Sequence, residues 1–272
     1  MPKLRTRVTM GGWTGGLNED DNPGALALDE LRIARNVYWE GTALASRKGS
    51  STIGPNTAAM GADIVGVGVY EFVRTGGTVR DLVAIISAKM FKDIKTATPT
   101  DITGAVTITS GQNNQCTFAD FNDECIVVNG VDSPWKWTGA GNAAALGGSP
   151  PAFKTILAKW NRCFGAGHTT ARRTIRYTDL STHETWPAAN TVRALQGDAS
   201  GAIEGRDYIT QLGHLGDTMF VGLAETVGRV IYTGDFPALF RYSQIAAFGC
   251  EGAHSYVAVG DNGYFLSKRG VH

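Results

Sequence analysis

The side chains that could do chemistry in this sequence are turn carboxylates, a run of arginines and a few tryptophans. Asp120, Asp123, Glu124, Asp217, Asp235 and Asp261 all fall at polar breaks between apolar runs. Two opposed carboxylates are the machinery of glycoside hydrolysis, but nothing in the spacing selects a pair. Asp is also favoured at turns because its side chain bonds nearby backbone N–H groups. The five histidines are dispersed, with no i,i+4 pair on a helix and no serine elbow, so neither a zinc hydrolase nor a triad is indicated. Cys116, Cys125, Cys163 and Cys250 show no CxxC or Cys-His zinc spacing. Three of them lie in or beside apolar runs and read as small buried side chains, which points to folding in a reducing cytoplasm. No G-x-G-x-x-G or G-x-x-x-x-G-K motif is present. The expectation is a protein that is not an enzyme, with no catalytic, cofactor-binding or metal-ligating residues.

The basic and aromatic residues are more suggestive. Arg172, Arg173 and Arg176 crowd together, with Lys154, Lys159 and Arg162 shortly before and Trp160 and Tyr177 alongside. Cations interleaved with aromatic rings suit nucleic acid, and they equally suit a solvated sheet edge. Lys3, Arg5 and Arg7 alternate with apolar or small residues across Met1–Met10, so they share one face of an edge strand or extended arm. Such an arm reaches either a neighbouring subunit or a phosphate backbone. Trp13, set among four glycines, is a further candidate for an assembly contact. Trp135-Lys136-Trp137 and Trp186 offer rings that stack on sugars, which keeps a carbohydrate-binding protein open as the rival reading; aromatics at alternate strand positions also serve as core anchors.

These residues are carried on a repeated unit. In His214–Gly234 a turn at Gly216-Asp217 opens the run Met219–Leu223, and a polar link leads to Arg229–Tyr232, closed by Gly234-Asp235. Two β-prone runs bounded by Gly and Asp predict a hairpin half buried in a sheet. Phe121–Gly139, Trp160–Asp179 and Ser255–Val271 repeat the pattern, and Val67–Ile86 is a weaker copy. With Cys125, Cys163, Met219 and Tyr264 taken as equivalent, the steps are 38, 56 and 45 residues. A period near 45 with several strands per repeat predicts an all-β, propeller-like array of small antiparallel sheets. A β-sandwich is the alternative.

The domain reading is residues 1–55 as an N-terminal arm, short helix and hairpin, and residues 56–272 as the propeller-like domain. Within Gly11–Gly49, Asp29 is placed to cap a short helix over Glu30–Arg35, followed by a hairpin of Asn36–Trp39 and Ala43–Arg47 around Glu40-Gly41. Gly139–Pro151 reads as a flexible connection between sheets. Gly makes up 35 of 272 residues, above the usual share of about 7%, and falls mostly between the apolar runs. Charged residues are 18%, below the usual ~25%, so broad contacts with partner chains are expected. The net charge of zero gives no whole-molecule pull toward nucleic acid or an anionic membrane. No stretch of about 18 apolar residues exists and the first residues lack an apolar signal core, so no membrane insertion is expected.

The order GGLN, Pro, Asp29-Glu30, Asn36-Val37, Arg47-Lys48-Gly49 resembles the opening of bacteriophage tail proteins of the hub or nozzle type. Tyr177-Thr178-Asp179 with Glu184-Thr185-Trp186, and Gly263–Gly270, are similar to later parts of the same group. The resemblance spans most of the chain, through short Gly-rich motifs. It implies a virion structural protein, assembled in the host cytoplasm as a homo-oligomeric, hexameric ring on the tail axis. Portal, adaptor or other tail proteins would be its neighbours, with transient contact to exiting phage DNA. It carries no catalytic residues to transfer. In such proteins the chain normally continues past the LSKRG strand, whereas this one ends at His272. Either the native polypeptide is longer, or an extended segment such as Leu4–Met10 completes the last sheet. The fold expectation is checked by far-UV circular dichroism, which should be β-dominated; more than about a quarter helix, near the average of globular proteins, overturns it.

Overall fold

The computed structural model describes residues 80–272, apart from 95, 97, 112, 195–206, 237 and 253, together with five strands before them. The chain separates into two compact units, Met1–Thr52 and Ile53–His272. In the first, β1 (Gly16–Leu17) pairs in parallel with β2 (Glu30–Leu31), and β3 (Val37–Glu40) pairs antiparallel with β4 (Ala43–Ser46). The hairpin around Glu40-Gly41 is therefore present. The helix expected over Glu30–Arg35 does not start at Glu30, because Glu30 and Leu31 are extended and paired with Gly16 and Leu17; the rest of that span lies outside the described residues. A ladder partner satisfies their backbone groups, and that outweighs a weak local preference for helix. No helix occurs among the described residues.

The second unit is a succession of four-stranded antiparallel meanders. The first joins β5 (Val69–Val73), β6 (Arg80–Ile86), β7 (Lys89–Lys92) and β8 (Thr100–Asp101). The second joins β9 (Thr117–Phe121), β10 (Glu124–Val128), β11 (Trp135–Trp137) and β12 (Ala144–Ala145). The third joins β13 (Thr155–Lys159), β14 (Arg162–Ala166), β15 (Thr174–Tyr177) and β16 (Thr191–Arg193). The fourth joins β17 (Ile209–Leu215), β18 (Thr218–Leu223), β19 (Val227–Tyr232) and β20 (Phe240–Ala246). Two small hairpins follow, β21 (Val257–Val259) with β22 (Asn262–Tyr264), and β23 (Leu266–Ser267) with β24 (Gly270–Val271). The leading strands β9, β13, β17 and β21 lie side by side in that order. Short meanders packed face to face, with their leading strands adjacent, make this an all-β, propeller-like array.

Local sequence explains the tight turns. Asn122-Asp123 and Trp160-Asn161 carry positive φ at both positions (52° and 58°, 49° and 54°), as two-residue type I′ turns require. Gly216 (49°) and Gly260 (59°) open the corresponding turns of the next two hairpins.

Packing explains the apolar runs. Along β10, Cys125 and Val127 join the first sheet's Val83, Ile85 and Met90, while Ile126 and Val128 join the third sheet's Ile156 and Cys163. Along β18, Met219, Val221 and Leu223 face the third sheet and Phe220 faces Cys250 and Phe265. In the hairpins of the second and third sheets the later strands, β11 and β15, alternate in burial as expected, whereas β10, β14 and β18 are covered on both faces, which is why CIVV and MFV run without polar alternation.

Two further expectations change. Cys125, Cys163 and Met219 are equivalent, each the second residue of its strand and fully buried. Tyr264 is the third residue of β22 and is 44% exposed, so Gly263 holds the matching place. Gly139–Pro151 is not merely a connection, since it contains β12 and buries Ala143 and Leu146.

The contact between the third and fourth sheets centres on aromatic rings. Phe240 meets Phe164 at 5.1 Å and 85°, and Tyr177 at 4.8 Å and 74°, both edge-to-face. Fully buried Phe164 also meets Trp160 edge-on at 5.7 Å. Phe164→Ala should cost about 3–5 kcal/mol from the resulting cavity. Urea unfolding would measure this, and a loss under about 1 kcal/mol would mean that the two sheets are held together elsewhere.

Candidate functional site: a cationic cleft between two sheets

The loops that enter the leading strands, and the loop joining β14 to β15, converge on one cleft. A cavity of about 370 Å³ is lined by Lys154, Gly167, His168, Thr169, Arg172, Tyr208 and Ile209. Lys154 stands just before β13 and Tyr208 just before β17, so the cleft lies between the third and fourth sheets. Its walls are fixed by backbone: Ile209 N donates to Arg172 O at 2.9 Å, and Lys154 N donates to Ala166 O at 2.9 Å. Gly167, at φ +79°, is required here. A Cβ on it would stand 2.7 Å from the Lys154 Cβ, so only glycine lets the two chain segments close on the lysine stem.

The arginine cluster read from sequence is divided by the fold. Arg172 is exposed and lines the cleft. Arg173 turns to the buried Asp207, with Nη2 3.5 Å from Oδ2 and Nε donating to the Asp207 carbonyl at 3.2 Å. Asp207 is otherwise engaged by Glu225 N at 2.8 Å and by the Thr226 hydroxyl at 2.7 Å. Arg176 donates through Nη2 to the Trp186 carbonyl at 2.8 Å, which ties β15 to its own loop. Of the three, Arg172 is the one presented to the cleft. Lys159 and Arg162 are likewise occupied, donating to Gly216 O at 2.8 Å and Thr178 O at 2.6 Å. Lys3, Arg5, Arg7 and Trp13 lie outside the described residues.

Sequence reasoning found Lys154 and Arg172 and missed His168 and Tyr208. His168 Nδ1 is 2.9 Å from the Thr170 hydroxyl, and Tyr208 is 41% exposed. No pattern in the sequence marks either, because they meet only where two sheets stack. His254, before β21, stands near enough to Lys154 to feel its charge. Its pKa is lowered, first by desolvation and then by that lysine.

The other candidates fall differently. Trp135 and Trp137 are fully buried and Trp186 is 5% exposed, so the rings expected to stack on sugars are core anchors. All four cysteines are free and buried; burial pushes the Cys116 and Cys163 thiols up to about 12 and raises Cys125 and Cys250. Among the described residues no group of three or more His, Cys, Asp and Glu is placed to hold a metal ion. Glu124 belongs to an ion network between the second and third sheets. Lys136 Nζ lies 2.6 Å from Glu184 Oε1 and 2.9 Å from Glu124 Oε2, and His183 Nε2 lies 2.7 Å from Glu124 Oε2. The Lys136 ammonium beside it holds the Glu184 carboxyl below its usual range. Burial opposes the Lys136 charge, but pairing with Glu184 and Glu124 outweighs it and raises its pKa.

The sequence matches no protein-family model and no curated protein. Among solved structures it is similar to YCF48 bound to D1 peptide, at 10% identity and TM-score 0.44, over 70% of this chain and 58% of that one. It is also similar to the N-terminal domain of Nup159, at 6% identity and TM-score 0.47, over 76% and 59%. A third is the WD40 domain of Neurospora crassa Pan2, at 11% and 0.42, over 71% and 57%. The chain thus spans less than two-thirds of the length of each. Strand order and sheet stacking define the class as β-propeller-like.

The inter-sheet network sets a pH dependence. Glu184, with its pKa depressed, contributes stability above its unfolded value that is lost as pH falls through the folded one. Lys136, with its pKa raised, contributes below its unfolded value and loses that contribution as pH rises through the folded one. Lys136→Met should therefore cost about 1–3 kcal/mol near neutrality, between the values for exposed and buried pairs. Its deficit against the natural protein should shrink below about pH 4. Thermal unfolding from pH 3 to 8 would show this; a deficit constant with pH would exclude an ionic origin.

Proposed function

We propose that this protein is a structural component of a bacteriophage tail or neck, of the hub or nozzle type. It forms a homo-oligomeric ring around the path of DNA exit and acts by geometry rather than by catalysis. The motif order within Gly11–Gly49 supplies the family resemblance. The structural observation that carries the assembly reading is the uncovered apolar face of the β21–β22 hairpin. Val257 and Val259 alternate onto one face, and Tyr264 is paired across from Val257. They are 54%, 60% and 44% exposed. The hairpin's other side is packed: Tyr256 stacks on Phe220 at 4.1 Å and 12°, over Gly213 and Gly263, where a Cβ would strike its ring.

An apolar face beside a packed one is what a neighbouring sheet or chain covers. The low charge content of the sequence, 18%, agrees with broad contacts between chains. Binding to a glycan array would favour the carbohydrate-binding alternative and turnover of a glycoside the glycosidase alternative; the burial of Trp135, Trp137 and Trp186 leaves the first without its stacking platform.

The full chain, purified and viewed by negative-stain electron microscopy with light scattering, should form rings, hexameric in the expected case. Val257→Asp with Tyr264→Asp alters only exposed positions. It should leave circular dichroism unchanged and abolish the rings, as should removal of Met1–Met10. Monomers at high concentration, with or without tail partners, would overturn this reading.

A further inference from the structure

We propose that the cleft between the third and fourth sheets binds a nucleotide unit, its phosphate held by Lys154 and Arg172 and its base laid against Tyr208. This deepens the assignment to a DNA-exit ring and rests on it for the source of the ligand, not for the chemistry of the site. Three features of the cleft point the same way.

The first is unmatched charge. Lys154 and Arg172 line one cavity of about 370 Å³ with His168 and Thr169, and no carboxylate lines it among the described residues. Asp207, the one acid described in the connection into β17, is engaged by Arg173, Glu225 N and Thr226. The fold thus neutralises one arginine of the pair and leaves its sequence neighbour to face the cavity. Hydrogen bonds between such cations and a phosphate are charge-assisted, and a guanidinium forms them in a fork.

The second is preorganisation. The Lys154 stem is clamped between Gly130 and Gly167, both at positive φ (81° and 79°), where a Cβ would stand 3.3 Å and 2.7 Å from the Lys154 Cβ. Arg172 is set in a loop whose carbonyl accepts from Ile209 N, the first residue of the opposing sheet. The backbone that carries each cation is thus fixed, so only side-chain ordering opposes binding.

The third is the ring. Tyr208 is 41% exposed at the edge of this cavity. An aromatic face beside two cations is the arrangement that holds a base and its phosphate, and stacking of this kind tolerates any base. A concave site of this size takes one nucleotide unit, not the side of a duplex. The chemistry is shared by a free nucleotide and by a unit of single-stranded DNA.

The test uses the full chain with two probes, a fluorescein-labelled oligodeoxythymidylate and thymidine monophosphate, titrated at low and high salt. Either probe should bind. Arg172→Glu and Lys154→Gln should each weaken binding by about tenfold or more, the loss of one charge-assisted contact. Lys154→Gln should also lower the salt slope by about one. Tyr208→Ala should weaken binding with the slope unchanged, since a ring carries no charge. Tight binding by the oligonucleotide alone assigns the strand, and equal binding per phosphate by the mononucleotide assigns the free ligand. Binding that all three substitutions leave within about twofold, or no binding by either probe at millimolar concentration, overturns the proposal. Inorganic phosphate that competes as well as the nucleotide, with Tyr208→Ala silent, also overturns it. Rings that assemble normally in Arg172→Glu, with binding lost, keep this inference separate from the assembly reading; bound nucleotide without rings removes only the latter.

Discussion

Every sheet in the second unit is too small to bury its own faces, and the whole arrangement follows from that constraint. A meander of four short strands gains stability only when neighbours cover both sides. Alternation along β10 and β18 divides each strand's side chains between the sheet before and the sheet after, so one strand contributes to two cores. Cys163 and Phe164, adjacent in sequence, belong to different cores for the same reason.

Stacking apolar faces sets sheets against one another without fixing their register. Polar bonds at the starts of the leading strands supply it. The Thr117 hydroxyl donates to Lys154 O at 3.0 Å, Leu212 N donates to the Thr155 hydroxyl at 3.1 Å, and the Thr210 hydroxyl donates to Cys250 O at 2.7 Å. The first two link one sheet to the next, and the third ties the leading strand of the fourth sheet to the segment that runs on to β21. Buried hydroxyls are costly unless paired, so they admit one register and penalise others. The cationic cleft sits directly beside these bonds: Lys154 is both the acceptor for Thr117 and a wall of the cavity. Fold and site therefore share the same few residues, and what positions one positions the other.

Charges are divided in the same way. Lys136, Glu124 and Glu184 are matched between the second and third sheets, and Arg173 with Asp207 between the third and fourth. These pairs lie where sheets meet and where desolvation makes an unmatched charge expensive. Arg172 is exposed at the cleft, and among the described residues no carboxylate lines that cavity.

The sequence by itself determined the hairpins, because turn chemistry and apolar runs are local. Asn122-Asp123 and Gly216-Asp217 mark their turns, and the runs after them mark strands, so the repeat could be read without coordinates. It also located Arg172 and Lys154 as part of a basic group. What it left open were properties of stacking. The strands of CIVV and MFVGL are buried on both faces rather than one, since only a neighbouring sheet decides how many faces are covered. Trp135 and Trp137 are core anchors rather than a sugar platform for that reason. Glu30-Leu31 is a strand because its ladder partner, Gly16-Leu17, lies outside the helical window that local preference sees. The tertiary structure alone separated Arg172 from Arg173: adjacent in the chain, they differ because Asp207, far along the sequence, is brought to one of them and not to the other.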